Sequence, residues 1–119
     1  MSTLAFIIED DQDLSTIFAD ALESVGYEVK QIMDGRTAQQ RLKEVVPFLI
    51  LLDMHLPHIS GEDLLKEIKA DERFKNTYVM LTTADARQAE AYEPIADFVM
   101  VKPISFVQLR DLTARLKPQ

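Results

Sequence analysis

The chain contains no cysteine, which removes disulfides, thiolate metal sites and cysteine nucleophiles together and agrees with a reducing cytoplasm. Tryptophan is also absent, so no indole can report on a site by quenching. No apolar run approaches the roughly 20 residues that span a bilayer, and the N-terminus lacks a basic region followed by a cleavable apolar stretch. The reading is a soluble, cytoplasmic chain with no membrane partner. Positive charge is in short supply, with 13 Lys and Arg against 20 Asp and Glu and a net charge of -7. Nucleic acid is bound by basic surfaces that displace counterions, so the direct partner is sought among proteins and cations.

What is present suits a single domain over residues 1–119. Apolar residues make up 47% and charged residues 28%, close to an ordinary globular chain. No linker, repeat, low-complexity tract or charge block divides it.

Residues 48 to 57 read Phe-Leu-Ile-Leu-Leu-Asp-Met-His-Leu-Pro. Five apolar residues closed by a carboxylate and then a proline predict a fully buried strand that delivers Asp53 to the edge of a sheet. Leu4 to Ile8 is a second short apolar run, ending in Glu9, Asp10 and Asp11. Leu14, Ile17, Phe18, Ala21, Leu22 and Val25 then fall at helical spacing, with Gly26 where the helix would end. Tyr27 to Ile32 alternates as an edge strand does, and Asp34-Gly35 turns into a helix expected to bury Ala38, Leu42 and Val45.

Farther on, Ser60 can cap a helix whose inward face is Leu64, Leu65 and Ile68, with Asp63 favouring its positive end. Tyr78 to Leu81 predicts a fourth strand that runs into Thr82 and Thr83. A short helix over about Asp85 to Tyr92 is stopped near Pro94, and a fifth strand, about Phe98 to Val101, leads to Lys102 and Pro103. Ser105 can cap a last helix with Leu109, Leu112 and Leu116 inward. Five alternations of strand and helix predict an α/β fold, a flavodoxin-like doubly wound parallel sheet in the order 2-1-3-4-5.

In such a sheet, ligands bind beyond the carboxyl ends of the strands, near the point where strand order reverses. That rule gathers Glu9, Asp10, Asp53, Thr83 and Lys102. Two like charges about 4 Å apart repel by about 4 kcal/mol at an effective dielectric of about 20, so the three acids need a cation or a proton. Their hard oxygens favour magnesium, or manganese as a substitute. With Lys102 as a point donor and Thr83 as a hydroxyl, the set is suited to a phosphoryl group on or beside Asp53.

These residues resemble a known family. The Glu9-Asp10 pair, Leu-Leu-Asp-Met-His-Leu-Pro followed by Gly61, Thr83-Ala84 and Lys102-Pro103 are similar, in order and spacing, to the CheY-like receiver domain of two-component response regulators. The resemblance covers the whole chain. It implies that Asp53 accepts a phosphoryl group from a phosphohistidine on a sensor histidine kinase or phosphotransfer protein. Magnesium would be held by Asp10 and Asp53 directly, by Glu9 through water and by the His55 backbone carbonyl. Lys102 would pair with a phosphoryl oxygen, Thr83 would turn inward to it, and the Ala84 N–H would face it. The change would repack the face of helix 4, strand 5 and helix 5 for an output domain, a partner protein or a second copy of the chain. The domain would promote its own phosphotransfer and dephosphorylation without being an enzyme.

Two positions depart from the family. Val99 stands where an aromatic usually precedes the strand-5 lysine, and the Thr83 to Lys102 interval is slightly short.

Other readings stand beside this one. Asp53 could cap the turn before Pro57, and one of the first acids, best Asp11 or Asp13, should cap helix 1. His55 and His58 suggest zinc but lack further ligands nearby. A haloacid-dehalogenase-like phosphatase would also place an aspartate nucleophile beside magnesium, although it normally has a second Asp where this chain has His55. A degenerate receiver would bind partners without phosphorylation.

Overall fold

The computed structural model describes residues 3–118. Its elements alternate from β1 (Thr3–Ile8), α1 (Gln12–Glu23) and β2 (Tyr27–Ile32) through α2 (Gly35–Glu44), β3 (Leu49–Asp53) and α3 (Gly61–Ala70). A single 3-10 turn, Glu72–Phe74, leads to β4 (Tyr78–Thr83), then α4 (Ala86–Tyr92), β5 (Phe98–Val101) and α5 (Phe106–Leu116). The strands form one sheet in the order β2-β1-β3-β4-β5, every neighbouring pair parallel, as the alternation predicts.

Side chains alternate across the strands and divide the core in two. Ile50 and Leu52 join Phe6, Ile8, Val79 and Leu81 on the face covered by α2 and α3. Leu49 and Leu51 join Ala5, Ile7 and Met80 on the face covered by α1 and α5. Every residue of β3 is buried, which is why its sequence is continuously apolar up to Asp53.

The helix starts follow their capping residues. Asp11 accepts from the Asp13 and Leu14 N–H groups at the start of α1, Asp34 from Thr37 for α2, and Ser60 from Asp63 for α3. Asp85 caps α4 through Arg87 and Ser105 caps α5 through Gln108.

Two predicted core residues lie outside. Ile17 is 44% exposed because the inward row of α1 is Ser15, Phe18, Ala19 and Leu22. Ser15 is fully buried there, its hydroxyl bonded to the Gln31 amide at 2.8 Å. Val45 is 39% exposed: α2 ends at Glu44, and Val45 already has extended backbone on the approach to Pro47, which disfavours helix in the residue before it. Leu112 and Leu116 are half-buried against the core because β5 is an edge strand and cannot cover them fully.

Candidate functional site

The carboxyl ends of the strands are held in register past the last regular residue. The Glu9 N–H donates to the Ile32 carbonyl at 3.0 Å, Met54 to Thr82 at 3.0 Å and Lys102 to Thr83 at 2.7 Å. Two of these clamps fix Glu9 and Lys102, whose side chains meet at this end of the molecule, and the third holds the chain just after Asp53, with the Met54 side chain in the core. Behind Asp53, α3 begins so close to the strand that a Cβ on Gly61 would collide with the Asp53 carbonyl and lie 2.6 Å from the Met54 Cα. Only glycine fits there.

Glu9, Asp10 and Asp53 place carboxylate oxygens within 4.8 Å of one another. Glu9 and Asp53 are only 2% and 3% exposed, whereas Asp10 faces solvent. Lys102 reaches in from the far edge of the sheet, with its ammonium 2.8 Å from Glu9 Oε1 and 3.5 Å from Asp53 Oδ1. The His55 N–H donates to Asp53 Oδ1 at 3.1 Å, and the Asp11 N–H to Glu9 Oε2 at 3.1 Å.

Burial pushes the Glu9 carboxyl above its ordinary value, and the neighbouring Asp53 adds to the rise; Lys102 and the Asp11 N–H oppose it. Burial alone would lower the Lys102 ammonium. The hydrogen bond it donates to Glu9 and the Asp53 charge outweigh it, and the ammonium is raised.

Three carboxylates against one ammonium leave two negative charges without a partner. Hard oxygen donors with that excess fit a small divalent cation such as magnesium. Neither His55 nor His58 joins a convergent metal-ligating group among the described residues, so the zinc reading has no geometry behind it.

Thr83 is 1% exposed at the end of β4, and its hydroxyl bonds to the start of α4: it accepts from the Asp85 N–H at 3.1 Å and donates to Gln88 Oε1 at 2.7 Å. Ala84 follows it at the surface. The sequence reading missed three features: the direct Glu9–Lys102 pair, the role of Gln88 and the reason for Gly61. The first two join residues by side-chain reach, which periodicity does not encode. Gly61 could have been found as the one glycine opening a well-capped helix just after the Asp53 strand.

The chain matches the model of the response regulator receiver domain over residues 5–114. It belongs to that family. Among curated relatives, the receiver domain is 31% identical over 120 residues to the phosphate regulon transcriptional regulatory protein PhoB of Rhizobium meliloti, covering 95% of this chain and 53% of that protein. It is 33% identical over 90 residues to the polar-differentiation response regulator DivK of Brucella ovis, covering 76% of this chain and 73% of DivK. The chain thus spans about half the length of PhoB. Among solved structures, the receiver domain of the sensor histidine kinase PA1611 from Pseudomonas aeruginosa superimposes with a TM-score of 0.85 at 24% identity, covering 98% of each chain. That structure has a magnesium ion coordinated in its active-site cleft. The fold agreement and the family match leave the dehalogenase-like phosphatase without support.

Proposed function

We propose that this receiver domain accepts a phosphoryl group on Asp53 from the phosphohistidine of a sensor histidine kinase or phosphotransfer protein, with magnesium bound, and signals through α4, β5 and α5. The observation that carries this is the buried Asp53 beside Lys102, Glu9 and Asp10 with two uncompensated negative charges.

Asp53 and Asp10 would hold the metal directly, Glu9 through water and His55 through its backbone carbonyl; the acidic group itself and the magnesium ion in the active-site cleft of the Pseudomonas receiver support magnesium as the ion. When bound, the ion supplies positive charge to the oxygens of the group in transfer. An Asp53 oxygen forms a bond to phosphorus as the phosphorus–nitrogen bond breaks, and the histidine nitrogen keeps the electron pair and takes a proton. Lys102, now closer to Glu9 than to Asp53, moves its ammonium to a phosphoryl oxygen. The Thr83 hydroxyl and the Ala84 N–H bond to the others. Water attacking phosphorus later releases inorganic phosphate and restores the carboxylate.

The output is a protein contact. Val101, Phe106 and Val107 are exposed on β5 and α5, and Ile95 just after α4, a surface suited to an output domain, a partner or a second copy. Val99 is half-buried against the core, so the repacking runs through aliphatic contacts.

Acetyl phosphate with magnesium should add the mass of one phosphoryl group to the intact protein. No gain, or an equal gain in Asp53→Asn, overturns the proposal.

A further inference from the structure

A helix that opens Asp-x-x-Gln, as α4 does from Asp85 to Gln88, ordinarily closes a capping box, in which the third-position Gln accepts from the N–H of the capping residue. Here that bond is not made. The Thr83 hydroxyl stands between the two groups: it takes the Asp85 N–H at 3.1 Å and gives its own proton to Gln88 Oε1 at 2.7 Å. The one hydroxyl proton of Thr83 is therefore committed to α4 while Asp53 is unmodified.

We propose that Gln88 is a positioning residue that latches Thr83 in its resting orientation and competes with a phosphoryl group on Asp53 for the hydroxyl proton. This rests on the phosphoacceptor reading above and names the regulation of that same site. When Thr83 turns to the phosphoryl group, Asp85 loses an acceptor and Gln88 loses a donor. Those two groups complement each other, so the first turn of α4 can close its capping box directly. The charge state of Asp53 is thereby written into the helix start.

The sign of the effect follows from burial. Without the Gln88 acceptor, the resting state keeps the bond from the Asp85 N–H but leaves the hydroxyl proton of a nearly sealed Thr83 without an acceptor. The phosphorylated state loses only an acceptor for the N–H of Asp85, an exposed residue whose N–H water can satisfy. Removing the acceptor penalises the resting state more.

Beryllofluoride, a phosphoryl mimic, tests this by calorimetric titration of the whole chain with magnesium. Gln88→Ala should bind it about fivefold more tightly than the wild type, the size expected for one lost buried hydrogen bond. Gln88→Glu keeps the acceptor oxygen and should bind no more tightly than the wild type. In a Thr83→Ala background, which weakens binding by itself, Gln88→Ala should change nothing further. An unchanged affinity in Gln88→Ala, an equal gain in the Thr83→Ala background, or a gain in Gln88→Glu overturns the latch. Failure of the wild type to bind at all overturns the phosphoacceptor reading, which separates the two.

Discussion

Glu9 and Asp53 are both nearly sealed from water, and among the described residues Lys102 is the base within 4.0 Å of either. Lys102→Met leaves both acids without a cation, and breaking a buried pair on one side costs about 3 kcal/mol. A urea titration should show the midpoint fall with the slope unchanged. Asp10 acts in the opposite direction. It adds a third negative charge but faces solvent, where a like-charge contact is worth about 1 kcal/mol. Asp10→Asn should therefore melt higher than the wild type without magnesium and lose most of the stabilisation that magnesium gives. Melting curves followed by circular dichroism, with and without the ion, check this; equal magnesium shifts in the two proteins would contradict it. The acids and the lysine were legible in the sequence because each ends a strand. Their pairing was not: Glu9 and Lys102 lie 93 residues apart, and which oxygen an ammonium reaches depends on rotamers.

The elements hold these residues through close approaches that are hard to change. Gly61 lets α3 start against the backbone of Asp53, so Gly61→Ala must push strand and helix apart, at a cost of about 1–3 kcal/mol. Amide shifts around Asp53 should move with it, whereas Gly→Ala at an open helix start would leave them in place. On the opposite face, the Tyr27 hydroxyl donates to the Thr113 carbonyl at 2.7 Å and ties β2 to α5. Burial, with a smaller contribution from Tyr78, pushes its pKa to about 12 from 10.0. The folded state then holds the phenolic proton where the unfolded chain has lost it. Stability from this group is present below pH 10.0 and drains away as pH rises toward about 12. Tyr27→Phe should lower stability by about 1 kcal/mol at neutral pH and flatten the alkaline limb of a stability-versus-pH profile. Helix starts and strand centres were readable because capping residues and apolar runs are local signals. Ile17 and Val45 were misplaced because helical spacing alone does not say that Ser15 fills the inward row or that Pro47 ends α2 early.

At the scale of the molecule, the strand order β2-β1-β3-β4-β5 puts the ends of β1 and β3 side by side and brings β5 from the edge to supply Lys102. That topology was legible from five alternations and fixed which chain segments meet. The resting orientation of Thr83 toward Gln88 was not, since it is a choice between two sets of hydrogen bonds open to the same sequence. The chemistry of the site converges on one atom group, the Asp53 carboxylate. After treatment with acetyl phosphate and magnesium, borohydride reduces an acyl phosphate to the alcohol and releases phosphate, which converts a phosphorylated aspartate to homoserine. Peptide mapping should find homoserine at position 53 and nowhere else, and only when magnesium is present. Homoserine absent, or found at Asp10 in place of Asp53, would contradict the account.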